Sequence, residues 1–129
     1  MGLRFDLDVC SPKNHATAVP ADKKYTIEDD GLVSPWSGRV WMNPPFSLPT
    51  PWIDKFIAHE NGICLVAMSR SKAFIHLWNS ADAILALPSN LAFVTPEGKN
   101  KGIYMPCILA AIGKDNVAAL QNLAINRVR

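Results

Sequence analysis

Asn43-Pro44-Pro45-Phe46 is the segment of this 129-residue chain whose residue types and spacing could do chemistry. It closes the apolar run Gly38-Arg39-Val40-Trp41-Met42, which reads as a strand. A proline pair cannot continue a central ladder, so the chain must leave the sheet there. In open α/β sheets, ligands collect at the carboxyl ends of the strands, which is where Asn43 would sit. Each proline lacks an amide and has a locked φ, so the backbone carbonyls are held in fixed directions. The side-chain oxygen of Asn43 and the carbonyl of Pro44 can then accept the two hydrogens of a planar amine such as the exocyclic amine of adenine. That amine is a poor nucleophile because its lone pair is delocalised into the ring. Two acceptors favour the tetrahedral, lone-pair-bearing geometry that attacks a methyl sulfonium, and no base has to remove a proton first. Phe46 adds a π face on which an extruded base could stack. Taken alone, the tetrapeptide is equally well a strand-terminating turn. Its place after an apolar strand and before a proline-started helix weights the chemical reading.

Holding these groups requires a sheet, and the rest of the chain supplies its strands. Phe5, Leu7 and Val9 alternate with polar residues in a strand ended by Ser11-Pro12. Between Pro12 and Pro35 there is little periodicity beyond a short helix around 13–19. After the Asn43 segment, Thr50 reads as an N-cap with Pro51 at the first helical position, and Asn61-Gly62 ends that helix. Ile63 to Met68 is apolar throughout, as expected of a strand covered on both faces. Lys72 to Ser80 reads as a helix and Ala83 to Leu87 as a strand. Leu91–Val94 and Tyr104–Ile112 flank a polar segment, Pro96 to Gly102, and read as the arms of a hairpin. Asp115 is expected to cap a last helix through about Ile125. Strands separated by helices make this an α/β sandwich around a mostly parallel sheet, with an antiparallel C-terminal hairpin, in one domain over residues 1–129.

The bulk properties exclude several classes. Hydrophobic residues at 49% against 19% charged place the chain among globular proteins rather than disordered ones. Its apolar runs are far shorter than the roughly 20 residues of a membrane span, and no secretory leader opens it, so a cytoplasmic location is expected. Cys10, Cys64 and Cys107 are odd in number, sit in apolar runs and have no zinc spacing; they read as reduced, buried residues. His15, His59 and His76 form no ligand pattern, so no metal is expected. Trp36, Trp41, Trp52 and Trp78 read as core or interface aromatics. A formal charge of +2 identifies no partner, so any nucleic-acid surface must come from local clusters. Arg70 and Lys72, just past a strand, and Lys99 and Lys101, in the polar segment, are the candidates for phosphate contact; ordinary solubilising roles compete with that reading.

FDLDVCSPKN, YTIEDDGL, WSGRVWMNPPFS and WIDK, in that order, resemble the phage-type DNA N-6-adenine methyltransferase (Dam) family of bacteriophages and prophages. The resemblance runs from about Phe5 to Ile112 and rests on several blocks rather than one tetrapeptide. It implies a Rossmann-like methyltransferase fold, S-adenosylmethionine as methyl donor, double-stranded DNA as partner and a bacterial host cell as the setting. Asn43, Pro44, Pro45 and Phe46 match the family's (D/N)PP(Y/F) catalytic motif. Asp8-Val9-Cys10 matches its first block, which puts Asp8 and Cys10 near the donor's ribose or methionine moiety. A carboxylate there can bond ribose hydroxyls or the α-ammonium. Asn14 and Asp30, in later blocks, are further cofactor candidates, although Asp29-Asp30-Gly31 also reads as a solvated turn.

Two departures from the family pattern matter. Members usually carry a further segment with a Thr-Pro and a helix before FDLDV, whereas here Met1-Gly2-Leu3-Arg4 stands directly ahead of it. The turn after Asp8 reads Cys10-Ser11-Pro12 and not G-x-G, so the close backbone approach that glycine permits is not assured. The expected function is therefore methyl transfer to a flipped-out adenine. An N-terminally shortened, catalytically weak or silent nucleic-acid-binding relic, a site completed by another subunit in a homo-oligomer, and methylation of another planar amine (RNA, protein glutamine, a small molecule) are the alternatives.

Overall fold

The computed structural model describes residues 4–12, 19–45, 47–87, 92–94, 100–102 and 106–126. In chain order the elements are β1 (Phe5–Asp8), β2 (Ala21–Lys24), β3 (Val40–Met42), α1 (Thr50–His59), β4 (Gly62–Ala67), α2 (Lys72–Ser80), β5 (Ala83–Ala86), β6 (Ala92–Val94), β7 (Asn100–Gly102), β8 (Cys107–Ile112) and α3 (Lys114–Asn126). Six strands form one sheet in the order β2-β1-β3-β4-β8-β5, and β6 pairs with β7 separately. The β2, β1, β3 and β4 neighbours are parallel; β8 runs antiparallel to both β4 and β5. β5 therefore points the same way as β4, and β8 alone is reversed. This is the mixed, mostly parallel α/β architecture that the sequence led us to expect.

The sheet is sandwiched. Helices α1 and α2 pack on each other and, through β4 and β8, on one face, while α3 lies against β8 and β5 on the other. Leu7, Val9, Val40, Met42, Cys64 and Val66 face the α1/α2 layer with Ile53, Phe56, Phe74 and Leu77. Ile63, Leu65, Leu109, Ala111 and Leu120 build the second core. β4 and β8 are buried almost throughout, which is why both read as unbroken apolar runs.

Phe5 departs from simple alternation. Odd residues of a regular strand share a face, yet Phe5 packs in the second core and Leu7 and Val9 in the first. The amides of Asp6 and Leu7 both donate to the Arg39 carbonyl, at 2.8 and 3.3 Å. That two-against-one pairing is a β-bulge, and it flips the phase of everything after it. Leu7 and Val9 are thereby turned to the first core, and Asp8 to the opposite face.

Several boundaries differ from the sequence reading. Strand β1 stops at Asp8 rather than running to Cys10, and β2 was invisible because Asp22, Lys23 and Lys24 are exposed on an edge strand. Charged edges of this kind discourage pairing with other chains. Pro49 is the N-cap of α1 and makes no side-chain cap; Thr50 is already helical. The left-handed residue that ends α1 is Glu60, at φ 65°. Gly62 instead opens β4, where a Cβ would lie 2.4 Å from the Val40 carbonyl oxygen. Asp115 falls in the first turn of α3 and is not its cap. The expected hairpin is corrected more substantially. β6 pairs with Asn100–Gly102, inside the polar segment, while β8 inserts between β4 and β5. Cys107–Ile112 is apolar at all six positions, so it demands cover on both faces and takes a central place; Asn100–Gly102 pairs through its backbone and needs none. The short helix expected around 13–19 lies, up to residue 18, outside the described residues.

Candidate active site at the carboxyl edge of the sheet

From β1 the chain crosses outward to β2, then returns past β1 to form β3 on its other side. The connections thus diverge between β1 and β3. In an open α/β sheet this switch point leaves a crevice beyond the carboxyl ends of the strands. Asp8 ends β1 and Asn43 follows the last residue of β3. Asp8 is in register with Trp41, so Asn43 lies two residues further along the neighbouring strand. Standard strand spacings put their Cα atoms about 8 Å apart.

Asp8 is only 2% exposed. Its carboxylate accepts one hydrogen bond, from the Cys10 amide at 3.2 Å. Burial pushes the carboxyl above its ordinary value, opposed by that amide bond and by the positive charge of Lys24. An ionised carboxylate has about four acceptor positions. Among the described residues one of these positions is used, and no fully buried side-chain oxygen or nitrogen lacks a partner, so the carboxylate has room for a hydroxyl or cationic group without burial demanding one. Lys24, in register with Asp8 on β2, was not foreseen. Cys10, just past β1, is partly exposed and not buried as expected, whereas Cys64 and Cys107 are buried; none of the three is in a disulfide. Burial, then the charge of Asp8, raise the Cys10 thiol above its ordinary value, which works against the thiolate. Where a G-x-G turn would sit, the chain folds back on β2: the Ser11 amide donates to the Tyr25 carbonyl at 2.8 Å.

Asn43 is partly exposed, Pro44 buried and Pro45 exposed. Among the described residues nothing hydrogen-bonds the Asn43 side chain. Phe46 lies outside the described residues, as do Asn14 and Lys99. Leu48, two residues beyond Phe46, is 72% exposed at the same edge.

A loop from Thr26 to Trp36 packs between the end of β1 and α1. Gly31 is buried against β1: a Cβ there would stand 2.1 Å from the Val9 carbonyl oxygen and 3.0 Å from the Trp52 ring. Lys55 of α1 donates to three carbonyls of the loop, Gly31 at 3.2 Å, Leu32 at 2.9 Å and Ser34 at 2.7 Å. Its ammonium also lies 5.0 Å from the Trp36 ring centroid. Trp36 Nε1 donates to the Gly31 carbonyl at 2.7 Å, and the Tyr25 hydroxyl to the Pro35 carbonyl at 2.7 Å. Asp30 stands outside this cluster. It is exposed, adopts φ 52° and accepts the Leu32 amide at 3.2 Å, which makes it a turn residue. The blocks YTIEDDGL, WSG and WIDK, which looked separate, thus converge on one loop. The sequence reading does not single out Lys55; the signal for its contact with the loop is its place three residues after Trp52, on the same side of α1.

Parallel pairing of β3 and β4 sets the Ser69–Lys72 turn on the same edge as Asn43. Arg70 and Lys72 are exposed there. Ser71 caps α2, accepting the Phe74 amide at 3.1 Å, and no acidic residue occupies its first turn. Lys101 lies in β7. Trp36 and Trp52 pack on the first core and Trp41 on the second, while Trp78 is largely exposed. His59 bonds the Gly38 carbonyl at 2.7 Å, and His76 is exposed. Among the described residues, no helix is long and apolar enough to cross a membrane, and no group of three His, Cys, Asp or Glu side chains is placed to hold a metal.

The profile of the DNA N-6-adenine-methyltransferase (Dam) family matches residues 1–108. The chain belongs to this family. The Dam match takes in the switch point, the Asn43 segment and the clamped loop. A relative, the DNA N-6-adenine-methyltransferase of Haemophilus phage HP1 (strain HP1c1), is 41% identical over 60 residues, 45% of this chain and 32% of that protein. The aligned part thus spans about a third of the relative's length.

Proposed function

We propose that this Dam-family domain, spanning residues 1–129, transfers a methyl group from S-adenosylmethionine to the exocyclic amine of a flipped-out adenine in double-stranded DNA. The observation that carries the reading is the pair of groups at the switch point: a buried carboxylate at the end of β1 that accepts one amide among the described residues, and, just after β3, an asparagine before two prolines whose side chain no described residue engages. The donor, when bound, supplies an electrophilic methyl on a sulfonium. Asp8 fits its ribose hydroxyls or α-ammonium, which would use the acceptor positions left over by Cys10. Asn43 Oδ1 and the Pro44 carbonyl hold the two hydrogens of the amine and turn its lone pair toward the methyl. The methylated amine then releases one proton to solvent. Phe46 stacks the extruded base. Arg70 and Lys72 at the start of α2 meet the DNA backbone, where the positive end of the helix adds to their charge.

The test is nucleoside mass spectrometry of DNA from a host lacking adenine methylation that expresses the chain. N6-methyladenine is expected with the wild type. With Asn43→Ala it should fall by about a hundredfold or more, the size of effect seen when one preorganised partner of a reacting group is removed. Absence of the base with the wild type, or equal amounts with the variant, overturns the reading.

A further inference from the structure

We infer that Lys55 is a positioning residue for the donor pocket: by gathering the Gly31, Leu32 and Ser34 carbonyls onto one ammonium, it seats the Thr26–Trp36 loop on the carboxyl end of β1. The inference rests on the proposed methyl transfer and adds to it a residue that touches neither donor nor adenine.

Three features support it. First, a loop usually keeps its carbonyls in water, and here three are drawn to a single side chain from another element. Second, the seat has almost no slack. Gly31 is in such close contact with Val9 that a methyl group would not fit, so the loop's position and the end of β1 are coupled directly. Val9 follows Asp8, so a loop that lifts frees the backbone that orients the carboxylate. Third, the ammonium is held on its other side by the Trp36 ring, whose indole N–H serves the same Gly31 carbonyl. A cation on an aromatic face is attracted by the ring quadrupole. Burial lowers the Lys55 pKa and the charge of Asp30 opposes that shift.

The experiment compares wild type, Lys55→Met and Lys55→Arg by calorimetric titration with S-adenosylhomocysteine and by steady-state methyl transfer with varied donor. Met keeps the apolar stem and removes the donors; Arg keeps the charge. Lys55→Met should weaken S-adenosylhomocysteine and raise the donor KM by about tenfold, because a misplaced pocket loses fit without losing its reacting groups. Its kcat at saturating donor should stay within about twofold, the pattern of lost ground-state binding. Lys55→Arg should recover most of the affinity. Unchanged affinity in Lys55→Met, or equal losses in kcat and affinity that Arg does not repair, overturns the inference. If Lys55→Met does not fold, Trp36→Phe removes the second donor to Gly31 and should weaken binding by about threefold; no change there overturns it as well. Wild type that fails to bind S-adenosylhomocysteine sinks the methyl-transfer reading and this inference together. Wild type that binds, with a variant that binds equally, sinks the inference alone.

Discussion

Replacing Gly31 with alanine places a methyl group 2.1 Å from the Val9 carbonyl oxygen and 3.0 Å from two atoms of the Trp52 ring. Carbon and carbonyl oxygen approach comfortably at about 3.3 Å, so the loop must retreat by about 1 Å. The obstacle is backbone at the end of β1, tied to β3 through the Val9 amide, and it cannot swing aside as a long side chain would. The retreat also stretches two bonds that converge on the Gly31 carbonyl, from Trp36 at 2.7 Å and Lys55 at 3.2 Å. Overpacking of this kind costs about 1–3 kcal/mol. Alanine stiffens the unfolded chain and returns about 0.4–1 kcal/mol, too little to reverse the sign. The net at the centre of these ranges is about 1.3 kcal/mol, and at roughly 4 °C per kcal/mol for a domain of this size, thermal unfolding followed by circular dichroism should show Tm falling by about 5 °C. Titration with S-adenosylhomocysteine well below both transitions should show weaker binding, since the loop seated on the end of β1 has moved. A variant whose Tm stays within about 1 °C of wild type, or rises, would refute the seating of this loop on β1.

Asp8→Asn separates stability from function. Burial raises the folded carboxyl above its ordinary value of 3.8, so the folded state keeps its proton to higher pH than the unfolded chain. The destabilisation is absent below the unfolded value and complete above the folded one. The variant should therefore melt higher at neutral pH, by about 4 °C for each kcal/mol, and lose the decline in stability as pH rises through that window. It should also lose S-adenosylhomocysteine binding; a variant that melts lower at neutral pH and still binds would contradict both halves. For DNA, the double variant Arg70→Gln, Lys72→Gln should make the dependence of log affinity on log salt shallower by about 1–2. A slope identical to wild type would remove the start of α2 from the interface.

Much of the site was legible in the sequence because its signals are local. A proline pair after an apolar strand has to leave the sheet, whatever surrounds it, so Asn43 was placed at a strand end without coordinates. The continuous apolar runs of β4 and β8 announced cover on both faces in the same way. Signals that depend on a partner were not legible. Strand β2 carries exposed charged residues because it is an edge, and edges are defined by what is missing beside them. The pairing of β6 with Asn100–Gly102 runs through backbone groups that every residue possesses.

By itself the sequence determined the α/β class and the membership of a methyl-transfer family, and it nominated the groups proposed for the chemistry, because these follow from residue type and short-range pattern. Only the tertiary structure decided how those groups are held. A bulge at Asp6–Leu7 turns Asp8 away from the face that Leu7 and Val9 occupy, and its cause is a carbonyl on another strand. Gly31, which read as part of a solvated turn, is a close contact between a loop and β1. Lys55, one exposed-type residue among 13 Lys and Arg, becomes the fastening of that loop. Each of these depends on atoms more than twenty residues away in the chain, and no local propensity encodes where such atoms will be.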